Sequence, residues 1–568
     1  MTPTDDQPTD RSTGHAGFHG PRCWALSALI GLVVGIVGGV LLPGQTAGTP
    51  ASHGPATEAA RVVQINPDGS KVERLVDGTT IPVGSIAPAP GDAPTAPPAG
   101  AHGAPAIPLW LCIPFGLLLL GIATLPLLAG KFWHAHYPDV AFFLGASVLG
   151  YYLSAMGASG RHDMLHAGLE YYAFIALVGG LYVASGGILV DIRDRATPLR
   201  NTLLLAVGAV LANILGTTGA SVLLIRPFMR MNRGRLRPIH VVFFIFIVSN
   251  CGGCLTPVGD PPLYLGYLKG VPFEWTLTHL WPMWLLVNGL LLAAFFVMDT
   301  RIPAAGADLP AQRIFDPSGR SPKVVTGGAP VFCLILLVAG VFVDPLLKRA
   351  GVKAVEGLPI GATFQIAMAV LAYLLARPSI HNSNQFTFEP VKEVAFLFAG
   401  IFLTMAPALG YLQANAGSLG LETPTQYYFL TGGLSAGLDN APTYLSFLQA
   451  ATATLHLPMS PEGLHQFIAS TFELSHGSAA AVVFKGQTLL EGIALGAVFF
   501  GAMTYIGNGP NFMVKSIVDA ARAEALRPDA APGQKRLGTA MPSFLGYLLY
   551  SVLILLPVLV VNWLVFIR

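Results

Sequence analysis

Charge is scarce in this chain. Of 568 residues only 11% are Asp, Glu, Lys or Arg, while 53% are hydrophobic, and that balance excludes a soluble protein of this size. A formal net charge of +2 supplies no basic field for nucleic acid, so no nucleic-acid partner is expected. The five cysteines (Cys23, Cys112, Cys251, Cys254, Cys333) lie almost wholly in apolar runs, as small packing residues do, and do not form a disulfide frame. Cys251 and Cys254 have CxxC spacing, but no second pair or histidine cluster accompanies them as a zinc site would need. HExxH does not occur, which leaves an intramembrane enzyme without that metal set. No cofactor is expected. Alternating polar and apolar strands are also missing, and with them a barrel.

What is present is a succession of apolar runs near the ~20 residues that span hydrocarbon. Residues 1–22 are polar and read as a cytoplasmic tail. Residues 23–43 form a signal anchor or signal peptide, and 44–106 are a Pro/Ala/Gly-rich external segment with one polar island, RVVQINPDGSKVERLVDG, suited to a hairpin. From 107 onward the runs follow closely. The expected class is an all-α polytopic membrane protein, with scaffold helices and a first repeat in 107–345 and a second repeat plus a C-terminal helix in 346–568.

Two runs have polar, helix-breaking centres: 200–229 around GTTGAS, and 424–456 around GLDNAPTY. The first is flanked by Arg193, Arg195 and Arg200 and by Arg230, Arg233, Arg235 and Arg237, which places both ends in the cytoplasm by the positive-inside rule. The flanks of the second, 412–426 and 457–478, contain no Lys or Arg. The two are therefore expected to be re-entrant hairpins entering from opposite sides. Lys348, Arg349 and Lys353 run against the same charge rule.

Opposite insertion suggests an inverted repeat, and the sequence contains one. LEYYAFIALVGG at 169–180 aligns with KEVAFLFAGIFL at 392–403, pairing Glu170 with Glu393. The same spacing carries Thr217 to Asn440 without a gap. Farther on, TPVGDPP at 256–262 aligns with TYIGNGP at 504–510. Each interrupts an apolar run (240–266 and 479–515), with Gly259 and Gly507 as the helix-break glycines. Two tips and two interrupted helices would then meet near the bilayer midplane.

GGxxTPxGDPP in one half and LDNAPT in the other resemble the ion-transporter superfamily: NhaD-type sodium/proton antiporters, arsenite permeases, citrate carriers and divalent-anion/sodium symporters. The resemblance covers about 107–566. It implies a scaffold with a mobile transport domain, elevator-type motion and commonly a homodimer. GTTGAS and LDNAP stand where the symporters carry Ser-Asn-Thr, a departure from a dicarboxylate carrier.

Asp260 and Asp439 are the acids at the four discontinuities. Hard cations take oxygen ligands, and a desolvated carboxylate holds a proton when it holds no cation. Competition for such carboxylates suffices for exchange of sodium or lithium against protons across a bacterial-type cytoplasmic (inner) membrane. The expected ion site is Asp260 and Asp439, assisted by Thr217, Thr218, Ser221, Thr256, Asn440, Thr443, Asn508 and Asn511. Other readings stay open. Asp439 and Asp260 suit helix N-caps. Glu170 and Glu393 are placed at helix starts, where a dipole role fits. His134, His136, His162 and His166 are assigned to solvated short loops. A carrier of citrate or another organic or oxyanion substrate is the competing function, and the absence of a basic residue from 212–225 and 436–447 favours the cation.

Overall fold

The computed structural model describes residues 21–41, 61–66, 71–75, 80–82, 107–192, 196–303, 324–351, 359–475, 482–526 and 539–568. The tail 1–20, most of 44–106 and several of the basic residues used for sidedness, among them Arg193, Arg195 and Lys353, lie outside them.

Helices dominate. Helix α1 (Pro21–Leu41) is followed by α2 (Ile113–Leu128), α3 (Gly130–Ala155), α4 (Gly157–Gly186), α5 (Pro198–Met231), α6 (Pro238–Ile247), α7 (Pro261–Lys269) and α8 (Phe273–Thr300). The chain continues through α9 (Gly328–Ala339), α10 (Val343–Arg349), α11 (Ile360–Leu375), α12 (Pro378–Ser383), α13 (Glu389–Asn415), α14 (Pro424–Gly437), α15 (Asn440–Thr454) and α16 (Pro461–Ala469). It ends with α17 (Gly486–Phe500), α18 (Gly509–Ala525), α19 (Phe544–Tyr550) and α20 (Leu556–Asn562). Many prolines sit where a helix begins and its first amides need no partner: Pro198, Pro238, Pro261, Pro424 and Pro510 each occupy a first turn. Among the described residues nine helical stretches are long and apolar enough to cross a membrane, so the chain is an all-α integral membrane protein.

One of those nine, α5, does not run straight. A continuous helix rising 1.5 Å per residue would put Asn201 and Asn232 about 45 Å apart, yet their side-chain amides bond reciprocally at 2.8 and 2.9 Å. The chain doubles back at Gly216, whose φ of 71° is a conformation L residues resist. In the second half α14 and α15 make the matching hairpin, broken at Leu438 and Asp439, with the Tyr427 and Phe447 rings 6.2 Å apart across the arms. The first arm of α5 exposes Leu199, Leu203, Val207, Val210 and Ile214, a single stripe at helical spacing suited to lipid.

Two interrupted helices complete the pattern. Helices α6 and α7 are separated by a 3-10 turn at Cys251–Leu255, and α17 and α18 by one at Gly501–Met503. Helices α4 and α13 join the halves through the stacked Phe174 and Phe398 rings, 4.5 Å apart, and the Tyr171 hydroxyl on the Ala395 carbonyl.

Two small sheets mark the ends of the molecule. Strands β1 (Arg61–Ile65), β2 (Lys71–Leu75) and β3 (Thr80–Pro82) form an antiparallel meander. It continues through β6 (Thr471–Ser475) and β7 (Val482–Lys485) in the order β3-β2-β1-β6-β7. The polar island is thus more than a hairpin in a linker, because it adds strands to a loop of the second half. Strands β4 (Leu189–Val190) and β5 (Val325–Thr326) pair separately.

Candidate functional site

Both hairpin tips and both helix breaks converge on Asp260, which is 1% exposed. Asp260 holds the N-cap position of α7, but its side chain does not cap. It accepts three hydrogen bonds instead: from Thr217 Oγ1 at the first tip (2.7 Å), from Asn440 Nδ2 at the second tip (2.7 Å) and from Asn508 Nδ2 at the other break (3.0 Å). All three donors are neutral. Four helical segments also begin here, at Thr217, Pro261, Asn440 and Gly509, and a helix start carries partial positive charge. Among the described residues no cluster of three or more His, Cys, Asp and Glu exists, so the site is carboxylate plus amide and hydroxyl.

The local backbone repeats between the halves. Asp260 and Asn508 have nearly the same conformation (φ −144°, ψ 143° and φ −156°, ψ 139°). Thr256 Oγ1 donates to the Asn213 carbonyl at 2.6 Å, and Thr504 Oγ1 donates to the Ala436 carbonyl at 2.6 Å. Each pins a break to the hairpin arm of its own half, and Thr217 N on the Gly259 carbonyl (2.8 Å) adds a second pin in the first half. Close approach, not positive φ, requires glycine at the breaks. A Cβ on Gly259 would overlap the Gly253 carbonyl, and one on Gly507 would lie 2.7 Å from the carbonyls of Gly501 and Ser435.

The other candidates are placed as follows. Thr218 lines a cavity of about 20 Å³ beside Asp260, walled by Leu177, Leu181, Gly216 and Tyr264. Asp439 is half-buried and caps α15, its Oδ1 accepting from Ala441 N at 3.0 Å. Thr443 Oγ1 bonds the Asp439 carbonyl one turn back. Ser221 does not reach Asp260; its hydroxyl pairs with Ser249 at 2.8 Å. Asn511 donates to the Gly501 and Thr504 carbonyls, closing the second break. Glu170 lies well inside α4, not at a helix start. There it bonds Lys269 Nζ at 2.6 and 2.8 Å, with His166 3.2 Å away. His162 and His166 sit on α4, and His134 and His136 on α3, so none of the four is in a loop.

Two asparagines escaped the sequence reading. Asn213 donates to the Ala209 and Gly252 carbonyls and accepts from Leu255 N, tying the first hairpin to the first break. Asn250 touches Asn508 and Asn511. Its signal was available: a lone amide in the apolar run FFIFIVSN, where burial without partners is costly.

No curated protein matches the chain. A family model described as "Putative citrate transport" matches residues 104–567, nearly all of the helical body, and the chain belongs to that family.

Proposed function

We propose that the chain is a secondary transporter of the bacterial inner membrane that exchanges sodium or lithium for protons at Asp260. The observation that carries the reading is one buried carboxylate held by three neutral donors where both hairpins and both broken helices meet. An ionised carboxylate there is solvated by the protein and has no basic partner among the described residues, so its neutraliser is a small cation or a proton. The two compete for the same oxygens, and exchange follows if only loaded forms cross. A cavity of about 20 Å³ suits a bare ion or one water. Asp439 is the second carboxylate in this reading; Thr217, Asn440 and Asn508 supply the hydroxyl and amides on Asp260, with Thr218, Thr256, Thr443 and Asn511 around them and Ser221 one turn away on Ser249. Re-entrance of the hairpins from opposite faces, elevator-type movement against the scaffold and a homodimer belong to the same proposal.

Citrate is the second reading, favoured by the family description and by the four helix N-termini, which suit anions. Inside-out vesicles with a pH dye separate the two. Sodium or lithium alone should move protons under the first reading. Movement driven by citrate and by no cation overturns it.

A further inference from the structure

The amides around Asp260 form a chain with one direction. Asn511 Nδ2 contacts the carbonyls of Gly501 (2.8 Å) and Thr504 (2.9 Å), which only accept, so its nitrogen must be there. Its Oδ1 therefore faces Asn250 and needs a donor, supplied by Asn250 Nδ2 at 2.6 Å, which also donates to the Ile245 carbonyl at 2.9 Å. That leaves Asn250 Oδ1 as an acceptor, and it takes Asn508 Nδ2 at 3.1 Å. The same nitrogen donates to Asp260 Oδ1 at 3.0 Å. The Asn511 orientation is thus set by backbone carbonyls of the second broken helix and that of Asn250 by the Ile245 carbonyl as well, while Asn508 Nδ2 also lies 3.4 Å from the Ser249 carbonyl; Asn250, itself fully buried, joins this network to the central carboxylate.

We infer that Asn250 is a positioning residue for cation binding: together with the Ser249 carbonyl and Asp260 itself it holds the Asn508 nitrogen in place and so keeps the Asn508 oxygen turned away, free to ligate a small hard cation. This rests on the exchange reading of Asp260. Asn508 Oδ1 makes no hydrogen bond among the described residues, as a ligand oxygen held ready requires. An amide free to flip would present its oxygen to the Asp260 carboxylate, a repulsive contact, and its NH₂ to the cation. Asn250 also links the halves, since it precedes the first break and bonds two residues of the second.

Asn250→Ala and Asn250→Ser, Asn511→Ala one link farther along, and Asn384→Ala as an amide control that bonds only the Gly186 and Ile188 carbonyls away from the site, are to be compared in vesicles at several sodium concentrations, alongside Asp260→Asn. The expected result is a tenfold or larger rise in the sodium KM for the Asn250 variants and Asn511→Ala, with kcat within about threefold. Asn384→Ala should leave KM within twofold in whatever fraction of the protein inserts. Unchanged KM in an inserted Asn250 or Asn511 variant, with Asp260→Asn inactive, overturns the positioning role alone. Sodium-dependent proton movement that survives in Asp260→Asn overturns the exchange reading and this inference with it. If Asn250→Ala fails to insert, the serine variant and Asn511→Ala decide by the same KM criterion.

Discussion

At the scale of single residues, Asp260 and Asp439 have different surroundings although the sequence groups them. Asp260 is satisfied by three side chains from three other segments, whereas Asp439 makes a local cap. Asp260→Asn keeps the volume but places an amide among donors, so sodium-dependent proton movement should fall at least a hundredfold, measured with a pH dye. For Asp439 two substitutions separate capping from charge. Asparagine caps about as well as aspartate and alanine does not, a difference of about 1 kcal/mol in stability. If Asp439 carries exchange, Asp439→Asn abolishes transport while its thermal melt matches the parent; transport retained by the asparagine variant leaves only the cap. Which residues meet Asp260 could be read because the repeat aligns Thr217 with Asn440 and Asp260 with Asn508. Ser221, expected to assist the ion site, follows the tip by one turn, and its hydroxyl turns to Ser249 just beyond α6.

At the scale of elements, the hairpins and breaks follow from a few backbone requirements. Gly216 is the one residue of α5 with non-helical angles. A Cβ there would meet Leu181 Cδ1 and the Val258 carbonyl at 3.3 Å in addition to the unfavourable φ. Gly216→Ala should therefore cost roughly 1–2 kcal/mol and reduce transport by shifting Thr217. Gly259→Ala, which forces a Cβ onto a carbonyl, should lower the melting temperature further; a Gly259 variant that melts like the parent would contradict the packing at the break. The base of the first hairpin was not legible. Asp299 at the end of α8 is buried and bonds Arg235, His240 and Asn201, so it holds the ends of α5, α6 and α8 together. Since Arg237 N donates to His240 Nδ1, the Nε2 proton faces Asp299. Those partners are spread over a hundred residues, and a run of arginines read for sidedness carries no hint that one of them is inside the protein.

For the whole molecule, the helical class was legible from apolar runs and missing charge, whereas the five-stranded sheet was not. Strand β1 pairs with β6, four hundred residues away, and a short polar island shows only its local partner β2. The sheet fastens the segment after α1 to the loop between α16 and α17. At its other end α1 lies against α3, where Gly31 and Gly35 allow contact with the α3 backbone. A cysteine pair replacing Val63 and Glu473, directly opposed in register, should cross-link under mild oxidation, seen as a mobility shift that reductant reverses. Failure of this pair to link, with both cysteines reactive toward a maleimide, would argue against the sheet.

That pairing has a consequence for how the protein is made. Strand β1 is synthesised early, but its β6 neighbour and Ser470, against which the Gln64 side chain is buried, come only when almost the whole chain has left the ribosome. During that interval the local meander of β1, β2 and β3 would have β1 as an open edge, the kind of structure that aggregates or is cut. Closure onto β6 is possible only after the second half has been threaded with its loop on the same side as β1. A chain inserted with that loop on the other side would leave the edge of β1 without the strand it pairs with.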